Sequence, residues 1–143
     1  MKLKILDAVA LLITLSLAAP GKAEKPIHVE RLLSTGECPN CNLVGANLRG
    51  FHLIGADLRN ANLQGAILVD ANLEGADLTR ANLKGANLTG AFLSGTSFND
   101  ANLTNVNFTD AQLYDAEVAG AALTGIKING SKVFNTGISI NKN

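Results

Sequence analysis

The sequence predicts an all-β solenoid: a chain wound into five stacked coils of twenty residues, with a short helical cap before the first. Three observations predict it. Residues 41–140 repeat every five positions, twenty times, without insertion or deletion. Each repeat has one large apolar residue at its centre, in unbroken phase from Leu43 to Ile138, and these centres comprise fourteen Leu, two Phe, two Val and two Ile. Two positions before each centre stands a small residue, Ala in thirteen of twenty, with mostly Asn or Asp between, as in Ala46-Asn47-Leu48 and Ala76-Asp77-Leu78. A fixed short period marks an architecture whose units bury their apolar faces only against their neighbours.

A period of five suits neither regular element. A helix scatters residues spaced by five around its circumference, and a flat strand sends successive centres to opposite faces. A backbone that turns a corner every five residues points every centre inward, and four such sides close one coil. Coils paired at strand spacing rise about 4.8 Å each, so five make a stack roughly 24 Å tall. The last residue of each repeat has the chemistry of a corner. Eleven of twenty are Gly, which accepts φ > 0. Seven more are Asn60, Asp70, Asp100, Asn105, Asp110, Asp115 and Asn135, side chains that tolerate the left-handed region. Arg80 and Ile140 are neither, and a different turn is expected at those two corners.

The run Ala-Asn/Asp-Leu-X-X, as in Ala61-Asn62-Leu63-Gln64-Gly65, closely resembles the pentapeptide-repeat family, and the resemblance covers residues 41–140. It implies a right-handed quadrilateral β-helix. Closure and an apolar interior follow from the residues themselves; the handedness comes from the resemblance.

The chain begins as an export signal does. Met1-Lys2-Leu3-Lys4 is basic, residues 5–19 are apolar apart from Asp7, Thr14 and Ser16, and Gly21-Lys22-Ala23 supplies small residues for cleavage after Ala23. The apolar stretch is shorter than the roughly 20 residues that span a bilayer, so no stable membrane anchor is expected after cleavage. Loss of residues 1–23 removes three lysines and one aspartate, leaving nine basic and eleven acidic residues and a net charge of −2. Residues 24–40 form the cap, 41–140 the repeat body and 141–143 a tail. Within the cap, residues 27–33 read as an amphipathic helix carrying Val29, Leu32 and Leu33, stopped by Gly36 and laid over the first coil. Phe51 occupies a position normally held by Ala, in a coil near the open end. At the far end Ile126, Ser131 and Thr136 replace Ala. That edge is either weakly capped by Ile138 and Ile140 or used for self-association, giving a monomer or a weak homodimer.

Cys38 and Cys41 are the two cysteines of the chain, and both fall on inward phases. In an exported protein a pair of cysteines most simply forms a disulfide. A redox role lacks the accompanying βαβ pattern, and a metal site drawing on His28 or His52 falls short of the four ligands zinc usually takes. No cofactor, metal or catalytic residue is expected. There is no Gly-X-Ser-X-Gly elbow and no convergent acid, base and nucleophile.

Outward positions twenty apart stack on one side. The first side carries Asn42, Asn62, Asn82 and Asn102, an expected amide ladder. The fourth carries Asp57 and Asp77, with Arg59 and Arg80 near enough to neutralise them. The second adds Ile67 and Val69 as outward apolar residues. The third side places His52, Ile54, Phe92, Tyr114 and Phe134 outward, and Ile54, Phe92, Tyr114 and Phe134 are the candidate partner-binding residues, since contiguous exposed apolar surface marks interaction sites. The partner would be a protein. Balanced charge argues against nucleic acid. Some members of the family that the chain resembles mimic DNA and protect gyrase, which is the alternative function. Their strongly acidic surface and C-terminal dimerisation helix have no match here. Other members, from cyanobacteria and plastids, are small, exported and headed by Cys-Pro-X-Cys, as this chain is by Cys38-Pro39-Asn40-Cys41. That resemblance implies an exported, non-catalytic structural or protein-binding module of the periplasm or thylakoid lumen.

Overall fold

A computed structural model describes residues 26–138 of the chain. The expected leader over residues 1–23, Ile140 and the tail over 141–143 lie outside the described residues. Helix α1, Pro26–Thr35, comes first. Gly36 follows it with φ 70°, and its N–H returns to the Leu32 carbonyl at 2.9 Å, the left-handed stop expected from the sequence. The helix buries Leu32 to 1% exposure and packs Val29 against the core, whereas Ile27 and Leu33 face solvent.

From residue 37 onward the chain lies parallel to itself, each paired residue facing the one twenty positions later. The pairs run from Glu37↔Asp57 and Asn42↔Asn62 through His52↔Asn72 to Asn107↔Lys127, all in one register. Layers are numbered here from residue 41, so that 41–60 is the first and 121–140 the fifth.

One repeat shows why the chain settles this way. In residues 61–65, Ala61 N–H closes the previous corner onto Leu58 O at 3.0 Å, and Asn62 N–H donates back to Cys41 O at 2.8 Å. Leu63 N–H donates forward to Asn82 O at 2.7 Å, and Gly65 N–H to Lys84 O at 3.0 Å. The remaining donor, Gln64 N–H, meets Asn62 Oδ1 at 3.2 Å. All five donors of the repeat are therefore satisfied, as buried or half-buried backbone requires. The same side-chain acceptor recurs at Asp57, Asn72, Asp77, Asn102 and Asn107. The Asn or Asp before each centre thus folds the corner by bonding the backbone two residues on. An amide ladder along the first side is present at one rung, Asn82 Nδ2 to Asn62 Oδ1 at 3.2 Å; the amide oxygens are otherwise turned toward the corners.

The centres and their small partners make one continuous core that runs from Leu32 and Cys38 through Val118 and includes Ile138 of the fifth layer. Phe98 and Phe108 meet edge to face inside it, ring centres 6.1 Å apart. Thr96 takes a small inward position fully buried, and its hydroxyl donates to Leu73 O at 2.8 Å. Two corners show how tightly the layers stack. Asp100 Oδ1 and Asp110 Oδ1 lie where a Cβ on Gly120 and Gly130 would stand.

Arg80 corrects one expectation. Its φ is 59°, like its neighbours in the series, and Ala81 N–H closes the corner onto Leu78 O at 2.9 Å. The ladder imposes the geometry: Arg80 N–H is tied to Asn99 O at 2.8 Å, so the residue bears a left-handed cost of about 1–2 kcal/mol that its exposed side chain does nothing to relieve. The departure lies elsewhere. The chain stays extended through β1, Gln112–Tyr114, and β2, Lys132–Phe134, which pair over three residues as Gln112↔Lys132, Leu113↔Val133 and Tyr114↔Phe134. Asp115 and Asn135 then take the left-handed bend, joined by Asn135 Nδ2 to Asp115 Oδ1 at 2.6 Å.

The two ends differ. The first layer is closed by α1, whereas Leu123, Ile126, Ile128 and Val133 of the fifth layer are only partly buried. Replacing Arg80 with Gly removes the left-handed strain at the cost of unfolded-chain entropy, for a net stabilisation of up to about 1 kcal/mol. A urea midpoint that rises in Arg80→Gly confirms the strain, and one that falls contradicts it.

Candidate functional site

The cysteines sit where the sequence placed them. Cys38 and Cys41 are joined by a disulfide, S–S 1.99 Å with Cα atoms 5.3 Å apart. Pro39 and Asn40, the latter at φ 60°, make the corner between them. Both cysteines are buried in the core beneath α1, and Cys38 N–H is held by Asp57 O at 2.7 Å. The bridge therefore locks the first corner to the layer above it. Burial of both sulfurs is the opposite of the exposed setting of reactive cysteines.

His28 does something the sequence did not disclose. Its Nδ1 accepts the Asn42 N–H at 3.0 Å. In the next layer the equivalent donor, Asn62 N–H, goes to a backbone carbonyl of the preceding layer. Among the described residues no such backbone carbonyl is in place for Asn42, and the imidazole takes its part. Only the contact between α1 and layer one reveals this role, since no local motif encodes it. His52 lies exposed on the third side, far along the chain from this contact. Among the described residues no group of three or more His, Cys, Asp or Glu is placed to hold a metal ion.

On the fourth side, Arg59 grips Asp57 with both arms, Nε to Oδ1 at 2.9 Å and Nη2 to Oδ2 at 2.6 Å, and reaches Asp77 Oδ2 at 3.8 Å. The Arg59 guanidinium holds the Asp57 carboxyl below the usual carboxylate range. Partial burial opposes this, and the Arg59 N–H on Asp57 adds to it. The same pair raises Arg59. Arg80 makes no ion pair among the described residues, so neutralisation of this side falls to Arg59 alone.

The third side carries its candidates unevenly. Ile54 is 62% exposed, Phe92 38% and Phe134 69%, while Tyr114 is half-buried. Tyr114 and Phe134 are direct neighbours in register. Phe92 pairs with Gln112 one layer below Tyr114 and two residues to its side. These three rings therefore climb diagonally over layers three to five. Ile54 is apart from them, separated along its column by Glu74 and Ser94. On the second side Ile67 is exposed as expected, but Val69 is buried to 8%. It lies in the column between Arg49 and Thr89, and the Arg49 side chain extends past it toward Asp70, 4.0 Å away.

An open cleft of about 710 Å³ lies between layers four and five, lined by Asn99, Asp115, Glu117, Leu123, Asn135 and Thr136 among others. Its polar groups already serve one another. Asn99 Nδ2 donates to Glu117 Oε2 at 2.7 Å, and Asn99 Oδ1 accepts Ala119 N–H at 3.0 Å. Asp115 accepts from Asn135. This arrangement splices adjacent layers and presents no nucleophile with its base.

Known proteins bear on this architecture. The family model of pentapeptide repeats, in eight copies, matches residues 41–80, 81–117 and 93–130. The chain belongs to the pentapeptide-repeat family. A pentapeptide repeat protein from the thylakoid lumen of Arabidopsis thaliana is similar over 87% of this chain and 78% of its own, at 26% identity and a TM-score of 0.51. Rfr23 from the cyanobacterium Cyanothece 51142 is also 26% identical, over 78% of this chain and 97% of its own, with a TM-score of 0.42. QnrB1, a plasmid-mediated fluoroquinolone resistance protein, is 16% identical over 69% of this chain and 62% of its own, with a TM-score of 0.32. No curated protein matches the chain.

Two outcomes follow from the site geometry. Thiol titration of the folded protein will find no reactive thiol, and replacing both Cys38 and Cys41 with Ser will lower stability by about 2 kcal/mol; two free thiols after isolation in air contradict the bridge. Asp57 has a lower pKa folded than unfolded, so its contribution is present above pH about 4 and lost as pH falls through the folded value. Acid titration of Asp57→Asn will show a shallower loss of stability below pH about 4, with a difference under about 1 kcal/mol because the pair is at the surface. An unchanged acid limb contradicts the assignment.

Proposed function

We propose that this chain is an exported, non-catalytic pentapeptide-repeat protein, a right-handed quadrilateral β-helix that presents its third side to a protein partner. The observation that carries the reading is the diagonal of Phe92, Tyr114 and Phe134, rings turned outward over three successive layers with no scaffold requirement for an aromatic residue at any of the three. Aromatic side chains supply large contact area at low entropic cost and anchor interfaces. Ile54 extends the same side at the first layer as a peripheral contact.

The parallel register of twenty with a corner every five residues supports four sides per coil. The basic and apolar composition of residues 1–23 and the likeness to a thylakoid-lumen protein support export, to periplasm or lumen. The mutual pairing of the polar groups in the cleft supports a binding rather than a catalytic role. Near-balanced charge supports a protein over a nucleic-acid partner.

The test is cross-linking of the mature protein in its native compartment. The double variant Phe92→Ser, Tyr114→Ser changes two outward side chains and will keep the far-UV spectrum of the parent while losing its cross-linked partner. Ile67→Ser on the second side will retain that partner. Equal cross-linking by the parent and the double variant overturns the third-side reading, as does a parent that cross-links to nothing.

A further inference from the structure

Backbone groups at the far edge of the stack have a direction set by every layer before them. On the third side, Leu93 N–H donates onward to Gln112 O and Gly95 N–H to Tyr114 O, both at 2.8 Å, while Gln112 N–H returns to Ala91 O at 2.9 Å. One layer on, Lys132 N–H returns to Ala111 O at 2.9 Å and Asp115 N–H donates to Phe134 O at 3.0 Å. The next groups in this series are Val133 N–H, Asn135 N–H and Ser131 O. They point out of the stack, and no further layer stands beyond them among the described residues. An edge of this kind templates another strand.

The third side differs from the other sides at this edge. On the first, second and fourth sides the layers touch through single bridged residues, because the chain turns immediately after each centre. On the third side β2 stays extended over Lys132–Phe134 and already pairs with β1 over three residues in register. It offers a regular segment for strand addition, with inward Val133 half-exposed beside Leu123 and Ile128 of the same unfinished layer.

Charge specifies what would fit. Residues 121–138 contain Lys127 and Lys132, both exposed, and no Asp or Glu. Neither lysine makes an ion pair among the described residues. Two copies meeting at this end would oppose like charges, which disfavours a second copy as occupant. A segment with an acidic residue opposite Lys132 and an apolar one opposite Val133 satisfies both the charge and the open core.

We propose that the edge of β2 is a docking strand that takes an extended, alternating acidic and apolar segment of a partner protein as its next strand. The mode is β-augmentation, in which main-chain bonds supply affinity and alternate side chains supply specificity. It engages the backbone edge and Lys132, and is independent of the outward rings of Phe92 and Tyr114.

The probe is a capped, dye-labelled hexapeptide of alternating Glu and Val, titrated with the mature protein and followed by fluorescence anisotropy. Saturable binding is expected, weakened at least about tenfold by Lys132→Glu and at most about twofold by Lys127→Glu, which lies on another side and beyond the reach of direct contact. Replacing Glu by Lys in the peptide, or placing Pro at its central positions, will abolish binding, the second because it removes the main-chain donors. Phe92→Ser, Tyr114→Ser will bind the peptide as the parent does, which separates failure of this proposal from failure of the ring-face reading. No binding by the parent, equal binding of the Lys-substituted peptide, or indifference to Lys132→Glu overturns the proposal. So does a concentration-dependent dimer that excludes the peptide, because the occupant is then a second copy.

Discussion

Everything in this protein depends on the parallel ladder that ties each residue to the one twenty positions on. Within a repeat, backbone donors go forward, backward or across the corner, and where an Asn or Asp precedes the centre its side chain takes the one left over. A buried donor left unpaired costs about 1–3 kcal/mol, so a slip by one residue would strand several donors in every layer at once and turn the apolar centres away from the core. The apolar pattern and the ladder therefore enforce the same register. That agreement lets corners as ill-suited as Arg80 adopt φ 59°.

A ladder of this kind needs something at each end. The front is finished by three different devices: α1 covers the core through Leu32, the Cys38–Cys41 bridge fastens the first corner, and His28 supplies the acceptor that an earlier layer would have provided to Asn42. At the fifth layer Leu123, Ile126, Ile128 and Val133 are half-open while Ile138 is buried, and the chain straightens into β2. The stack is thus polar in the directional sense, closed at one end and templating at the other, while the outward rings climb toward the open end. The β2 edge and the Tyr114–Phe134 pair lie where the repeat relaxes, whereas Phe92 and Ile54 stand on the regular layers that support them.

Much of this was legible in the sequence because the period is a direct consequence of packing. Leu63, Ala61 and Gly65 each have one structural reason, and the reason recurs every five residues. The inward cysteines follow from the same phase, and the helix with its Gly36 stop from the amphipathic run that precedes it. What was not legible depends on neighbours twenty residues away. Arg80 is left-handed because the layers beside it are, and its own chemistry argues otherwise. The amide ladder of the first side is limited to the Asn82–Asn62 rung, because the Asn oxygens bond the backbone two residues on within their own repeats, as Asn42 does with Val44 N–H and Asn102 with Thr104 N–H. Val69 is covered in the column shared with Arg49 and Thr89. Tyr114 and Phe134 stand side by side in register, but Ile54 belongs to a different part of the same face. The extended run at β1 and β2 has no signature in composition, since Asp115 and Asn135 are ordinary corner residues.

Amide hydrogen exchange, resolved by residue, tests the ladder most directly. In layers two and three the N–H groups of Leu63, Gly65, Leu83 and Gly85 are held by backbone carbonyls of the next layer, whereas those of the exposed residues Gln64, Glu74 and Lys84 are held by the half-buried side chains of Asn62, Asn72 and Asn82. The expected record is a period of five, with Gln64, Glu74 and Lys84 exchanging at least about tenfold faster than their flanking neighbours. Uniform protection along each repeat, or a period near that of a helix, contradicts the ladder and the account built on it.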